Sequence, residues 1–283
     1  MKVDHVLILA AGKGTRMGEI GKTMPKVIWP IFEKSIIELE VEYAKRLAPN
    51  AQVHINLYNY KEKVLEHISK KKDSFKNVNI LIEDGVLDIG GAIHNLAQNL
   101  DYNGNLLILN SDQFLFCDPS IISESVTELT DFDSLLFSYE VDPKDGYNAL
   151  AIEGGVFKGV TPNKEILQEE SVVTYTGMSL INLNKLEATT GESKFFDTVA
   201  NPKQYKVKVS KLSDFEYWDF GTLDRYAGSI WRIFEQADSK FVEFLKFSDA
   251  LVVDNLRLVD EKSAMIVGSL NVYKNGHVFK GSD

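Results

Sequence analysis

The chain has 283 residues, 44% of them hydrophobic and 25% charged, enough to bury the core of one large domain, or of one domain with an appendage. That excludes a disordered chain and a disulfide-stapled miniprotein; a net charge of −10 argues against sequence-blind nucleic-acid binding. The single cysteine, Cys117, allows no internal disulfide and fits a reducing compartment. The longest apolar run near the start, Val6 to Ala11, is too short for a bilayer span or a secretory signal. The expectation is a cytoplasmic protein with no membrane or nucleic-acid partner.

The chain opens with a short apolar strand, Val6 to Leu9, and a glycine-rich turn, Gly12 to Gly18. Ser35 to Leu47 reads as a helix with a broadly one-sided apolar face, Gln52 to Leu57 as a second strand and Tyr60 to Lys72 as a polar helix. Val78 to Glu83 is a third strand, and Ile89 to Leu100 a helix that begins on Gly90 and Gly91. Leu106 to Leu109 is a row of four apolar residues, the mark of a strand buried on both faces, with Asn110, Ser111 and Asp112 at its carboxyl end. Strands alternating with helices at this spacing predict βαβ units on a parallel sheet. After about Asp131 the pattern changes. Leu135 to Val141, Ala149 to Glu153, Val156 to Thr161 and Tyr175 to Leu183 read as strands of a mixed extension of that sheet. Thr222 to Phe247 reads as one helical stretch. Ala250 to Phe279 alternates short strand-like runs with turns, too few residues for an independent domain.

The sharpest local feature is the loop Leu9 to Gly18, L-A-A-G-K-G-T-R-M-G, followed by Thr23, Met24, Pro25 and Lys26. Ligands of doubly wound sheets bind at the carboxyl ends of strands, where a glycine-rich turn lets backbone N–H groups approach a phosphate. The dinucleotide fingerprint G-x-G-x-x-G fails because Met17 stands where a glycine is needed. The Walker loop fails because its first glycine would fall on Arg16. Lys13, Arg16, Lys22 and Lys26 nevertheless gather four cations within fourteen positions of an acidic chain, a density that suits a triphosphate.

Leu9 to Gly18 with Pro25-Lys26 closely resembles the signature of nucleotidyltransferases that condense a nucleoside triphosphate with a sugar 1-phosphate. The resemblance covers roughly Met1 to Tyr226. It implies a Rossmann-like, doubly wound α/β fold with a mixed, mainly parallel sheet, of the nucleotide-diphospho-sugar transferase type. The catalytic domain is then expected over residues 1–247, with a short β-rich extension over 248–283. The resemblance assigns Leu9, Ala11, Gly12, Gly14, Thr15 and Ser111 to the nucleotide. Arg16 is implied to hold the β- and γ-phosphates, and Lys26 to bridge the α-phosphate and the acceptor. Asp112 and Asp219, the latter in W-D-F-G-T, match the two magnesium-binding aspartates. A pair of carboxylates with phosphate oxygens is a ligand set that Mg2+ accepts. Ser111 departs from the glycine usual at that position.

Glu83 to Ala92, E-D-G-V-L-D-I-G-G-A, resembles the segment that cups the base, with Glu83, Gly90 and Gly91 as its readers. The other reading of the glycine pair is a helix start built for close packing. The Gly-Gly-Ala form is similar to the uridylyl- and guanylyl-transferring branches, those of N-acetylmuramate, heptose or mannose 1-phosphate, so UTP or GTP is favoured. For the acceptor, Gly146, Asn148, Thr176 and Gly177 stand where the family contacts the sugar. The family's Glu-Lys-Pro motif is missing, and Lys164 is the stand-in for its phosphate-gripping lysine. Tyr147, Tyr175, Tyr217 and Trp218 could form an aromatic box, which would suit a quaternary ammonium and make phosphocholine the acceptor of a CTP-dependent relative. The remaining alternative is an inactive regulatory paralogue that binds a nucleotide sugar. The tail packs on the domain or builds a homodimer interface; the sequence leaves both open.

Overall fold

The computed structural model describes residues 1–14, 21, 23–118, 120–166 and 170–251, and the backbone of four strands in the tail. The amino-terminal half follows the predicted alternation: β1 (His5–Leu9), α1 (Ile36–Leu47), β2 (Gln52–Leu57), α2 (Lys61–Lys70), β3 (Val78–Ile82), α3 (Asp88–Asn99) and β4 (Asn105–Asn110). The four strands pair in parallel in the spatial order β3-β2-β1-β4. Their continuous apolar runs have a direct cause. Val6, Ile8, Leu107 and Leu109 face one hydrophobic core, while Leu7, Leu106 and Ile108 face the other. A strand covered on both sides has no polar face to show.

Helix α1 begins on a capping box: Ser35 Oγ accepts from the Glu38 N–H at 3.4 Å and Glu38 Oε2 accepts from the Ser35 N–H at 3.0 Å. After β4 come β5 (Gln113–Phe116), α4 (Ser120–Ser125), β6 (Ser134–Val141), β7 (Ala149–Glu153), β8 (Val156–Thr161), β9 (Val172–Asn182), α5 (Phe195–Thr198) and β10 (Val207–Lys211). These complete one nine-stranded sheet, in the order β3-β2-β1-β4-β9-β6-β10-β8-β7, in which β9 runs antiparallel to both its neighbours. The four later strands read from sequence thus extend the first sheet as expected, and β10, which was not anticipated, joins them beside β6.

The chain continues with β11 (Glu216–Asp219), α6 (Leu223–Glu235) and α7 (Lys240–Phe247). The single helical stretch expected over Thr222–Phe247 is therefore two helices. Residues 236–239 break it, and Ser239 caps α7 by accepting from the Val242 N–H at 3.3 Å. Both helices pack with α1 on one face of the sheet, around Phe114, Phe220, Phe241 and Phe244; α3 and α5 cover the other. In the tail, β12 (Leu256–Asp260), β13 (Ser263–Ile266), β14 (Leu270–Tyr273) and β15 (His277–Lys280) form a four-stranded antiparallel meander. Among the described residues, no helix is long and apolar enough to cross a membrane.

One buried titratable pair sits across β1 and β2. His54 is buried and its Nε2 lies 3.3 Å from His5 Nδ1, while its own Nδ1 has no hydrogen-bond partner. Burial, then the charge of His5, pushes the His54 imidazole down to about 4. The folded state therefore holds His54 neutral, and the unfolded chain takes up the proton first as pH falls. Stability is complete above the ordinary value near 6.5 and is lost as pH drops toward 4, by on the order of 2–3 kcal/mol. Urea unfolding at pH 7 and pH 4.5 measures this. His54→Leu is expected to flatten most of the difference, and an unchanged slope in that variant would assign the acid loss elsewhere.

Candidate active site

The sheet registers set the site. Leu9 at the end of β1 pairs with Asn56 on one side and Asn110 on the other, so three strand ends lie level at the carboxyl edge. A cavity of about 480 Å³ opens there. The turn after β1 supplies Leu9, Ala11, Gly12, Lys13 and Gly14 to its wall, and Lys26, Glu83, Ser111, Asp112 and Gly221 come from further along the chain. Gly14 has φ +62°, a conformation that costs other residues. Of the expected nucleotide residues, Leu9, Ala11, Gly12, Gly14, Glu83 and Ser111 line this one cavity. Thr15 and Arg16 lie outside the described residues.

Asn56 links the end of β1 to Glu83 at the cavity wall. The Ala10 N–H donates to Asn56 Oδ1 at 2.8 Å, and Asn56 Nδ2 donates to Glu83 Oε1 at 2.7 Å. Asn59 Nδ2 donates to the Ala11 carbonyl at 2.8 Å, tying the loop to the residues after β2. Burial raises the Glu83 carboxyl above its ordinary range, against the Asn56 hydrogen bond. Asn56 and Asn59 were not expected from sequence. The signal available was position: they sit at and just beyond the carboxyl end of a parallel strand.

Asp112 and Asp219 are remote in sequence and meet through a short two-stranded ladder. Strands β5 and β11 pair antiparallel, with Gln113 opposite Asp219 and Phe114 opposite Trp218. The Phe220 N–H then donates to the Asp112 carbonyl at 2.8 Å. Between the two carboxylates runs Gly221. A Cβ on that residue would lie 2.8 Å from Asp219 Oδ1 and 3.1 Å from Asp112 Oδ2, so only glycine lets both acids turn toward one point. Both are buried. Asp112 Oδ2 is ion-paired with Lys26 Nζ, and Asp219 Oδ1 accepts from the Gly221 N–H at 2.7 Å. Asp219 Oδ2 accepts from Arg225 Nη1 at 2.6 Å and from the Tyr147 hydroxyl at 3.1 Å. No cluster of three or more metal-ligating side chains occurs among the described residues. The paired hard oxygens fit Mg2+, which takes one or two carboxylates and completes its shell with phosphate oxygens and water.

Other sequence expectations land differently. Gly90 and Gly91 do not line the cavity. A Cβ on Gly90 would meet the Lys194 carbonyl at 2.6 Å, and one on Gly91 the Gly191 carbonyl at 2.3 Å, while the Gly91 N–H donates to the Ser193 carbonyl. The pair is spent on close packing against residues 191–194. The Thr176 hydroxyl is buried and fully engaged, donating to the Phe137 carbonyl at 2.9 Å and accepting from the Met178 N–H. Gly177 forms the bulge of β9 at φ +87°, where a Cβ would stand 2.2 Å from Asn110 Nδ2. Its place is under the cavity floor. Asn148 Oδ1 is taken by the Asn163 N–H at 3.0 Å, Gly146 closes the turn at 143–146, and Lys164 is exposed; none lines the cavity. The aromatic box does not form. Tyr175 stacks on Phe195 in one core, Trp218 packs on Phe241 in the other, and Tyr217 joins Tyr139 near Tyr147.

Near Asp112, Glu40 of α1 is fully buried, and among the described residues neither carboxylate oxygen has a well-formed hydrogen bond, the Gln113 backbone amide being its one weak donor. Burial, then the charge of Asp112, pushes its carboxyl well above the ordinary range, with the Gln113 amide working the other way. An apolar side chain of the same length removes the cost of desolvating those oxygens. Glu40→Met is expected to raise stability by about 1–2 kcal/mol, read as a higher thermal midpoint. A lower midpoint would show that the acid has a partner.

Comparison with known proteins decides the family. The description Nucleotidyl transferase matches residues 5–156, more than half of the chain. The chain belongs to the nucleotidyl transferase family. The match runs from β1 to the end of β7 and so includes the loop, Lys26, Glu83 and Asp112. Among curated relatives of the family, the bifunctional protein GlmU of Aliarcobacter butzleri (strain RM4018) is 27% identical over 210 residues. That alignment covers 70% of this chain and 45% of GlmU, so the chain spans less than half the relative's length. Among solved structures, HddC from Yersinia pseudotuberculosis complexed with GMP-PN has a TM-score of 0.67 at 21% identity, covering 81% of this chain and 99% of that one. A UDP-glucose pyrophosphorylase complexed with UDP-glucose has a TM-score of 0.62 at 19% identity, covering 83% and 99%. These structures share the nucleotidyl transferase fold seen here, a mixed, mainly parallel sheet between helices.

Proposed function

We propose that this nucleotidyltransferase condenses a nucleoside triphosphate, GTP or UTP, with a sugar 1-phosphate, giving a nucleotide-diphospho-sugar and pyrophosphate in a Mg2+-dependent reaction. The observation that carries the reading is a nucleotide-sized cavity lined by Gly12, Gly14, Lys26, Glu83 and Asp112, with Asp219 brought beside Asp112 across Gly221. The matched family and the GlmU and UDP-glucose pyrophosphorylase likenesses support the substrate class. Residues 1–247 would be the catalytic unit and 248–283 an extension.

The nucleophile is a phosphate oxygen that is already an anion, so no general base is needed. The protein's work is to align two polyanions and neutralise their charge. Lys26 is held at the cavity wall by Asp112, where its ammonium can pass to the α-phosphate as negative charge builds there. Asp112 and Asp219 would hold Mg2+, which supplies charge neutralisation of the phosphates when bound. The glycine-rich turn offers backbone N–H groups to the phosphates, and Arg16 is assigned the β- and γ-phosphates by the resemblance of the loop. Glu83, steadied by Asn56, presents acceptors to the base edge. Guanine offers two adjacent N–H donors there and uracil one, flanked by carbonyls, so GTP is the better match. HddC, whose structure carries GMP-PN, is consistent with that preference.

A thermal-shift screen of ATP, CTP, GTP and UTP with and without Mg2+ tests the nucleotide. Pyrophosphate release with glucose, mannose and N-acetylglucosamine 1-phosphates and with phosphocholine tests the acceptor. Expected are a Mg2+-dependent shift that is largest for GTP, and pyrophosphate with at least one sugar 1-phosphate. Turnover with phosphocholine alone would overturn the acceptor class. Nucleotide-sugar binding without any turnover would favour a regulatory protein.

A further inference from the structure

The cavity-side cation, Lys26, answers to the nucleotide. A second phosphate must reach the same reacting centre from the other side, and the residue expected to grip it, Lys164, is exposed on a turn at 163–165 and outside the cavity wall. A different cation, also off the cavity wall, is tied directly to one of the two acids. Arg225 stands in the first turn of α6, its N–H donating to the capping hydroxyl of Thr222 at 3.2 Å. Its guanidinium carbon lies 4.7 Å from the centre of the Tyr147 ring, and Nη1 donates to Asp219 Oδ2 at 2.6 Å. The Tyr147 hydroxyl donates to that same oxygen at 3.1 Å. The ring and the carboxylate thus fix the guanidinium in place. An arginine carries five N–H donors; one is used, and no other acceptor for Arg225 is found among the described residues. The side chain is 36% exposed.

The two acids divide the centre between them. Asp112 carries Lys26 on the nucleotide side, and Asp219 turns Oδ1 toward Gly221 and Asp112 while Oδ2 carries Arg225 and Tyr147. We infer that Arg225 grips the phosphate of the acceptor, using its free edge for a two-point contact while its first edge rests on Asp219, which the Tyr147 hydroxyl and the Gly221 N–H hold in place without it. The inference rests on the transferase reading above. A planar guanidinium suits two phosphate oxygens at once, and the amino-terminal end of the thirteen-residue helix α6 favours the same charge. The cation over the Tyr147 ring also occupies the aromatic face that a quaternary ammonium would need, so the place is built for an anion.

The test is steady-state pyrophosphate release with GTP and Mg2+, using whichever of glucose 1-phosphate, mannose 1-phosphate, N-acetylglucosamine 1-phosphate and phosphocholine the wild-type enzyme turns over best. Arg225→Ala is expected to raise the acceptor KM about 30-fold or more, with the GTP KM and the Mg2+ half-saturation within about twofold of wild type; Arg225→Lys recovers part of the loss. Retained GTP-dependent thermal shift shows that the variant is folded. If Arg225 serves only to orient Asp219, the variant shifts the Mg2+ half-saturation and turnover and leaves the acceptor KM unchanged, and the inference is overturned. A variant that no longer folds is replaced by Arg225→Gln, judged on the same split. A wild-type enzyme that releases no pyrophosphate with any of the four acceptors overturns the transferase reading itself, and this inference with it.

Discussion

Asp112→Asn is expected to lower turnover by about three orders of magnitude while leaving the fold intact. The substitution keeps the shape of the side chain and removes its charge, and with it the ion pair to Lys26 and one of the two carboxylates at Gly221. Stability should change little, because Asn keeps the volume of the side chain and the loss is confined to the Lys26 ion pair at the cavity wall. Circular dichroism of Asp112→Asn should match wild type, thermal melts should lie close to it, and pyrophosphate release should be near background. Near-normal release from a folded variant would remove Asp112 from the reacting centre.

The largest loss of stability is expected from Phe114→Ala. Phe114 is fully buried, with its ring centre 5.5 Å from Tyr43, 5.9 Å from Phe220, 5.1 Å from Phe241 and 6.1 Å from Phe244. Truncation forfeits the transfer energy of the ring and leaves a hole that helices α1, α6 and α7 cannot all close. The cost is about 3–5 kcal/mol, a fall of roughly 10 °C in the thermal midpoint. Because β5 seats Asp112 beside Asp219, turnover should also fall about tenfold at temperatures where the variant remains folded. A shift of a degree or two would mean that the aromatic cluster relaxes around the gap.

The parts that could be read from sequence are those in which one local rule decides. Leu106 to Leu109 must be a strand covered on both faces, since four apolar residues in a row leave no side for water. The glycine-rich turn after β1 has no purpose in a plain connection, and its described residues, Gly12 to Gly14, line the cavity. The sequence leaves two readings open where the same residues serve two physical ends. Gly90 and Gly91 admit a backbone, and the sequence does not say whose; it is that of residues 191–194. Tyr147, Tyr175, Tyr217 and Trp218 are near one another in the chain's later half, yet alternation along strands sends Tyr175 to one core and Trp218 to the other. Strands β5 and β11 were not anticipated because four residues carry too little pattern. Arg225 was not marked as a site residue because nothing in T-L-D-R separates it from any solvated helix start; only its neighbours Asp219 and Tyr147 do.

The ladder of β5 with β11 also governs when the protein can become active. Asp112 leaves the ribosome early, but its partner acid arrives only after β6 to β10, the half of the sheet beyond β4, have been synthesised. Closing so long a loop is slow and gains its contacts last. A nascent chain that has not reached Asp219 therefore lacks both the second acid and the aromatic core that α6 and α7 close over β5.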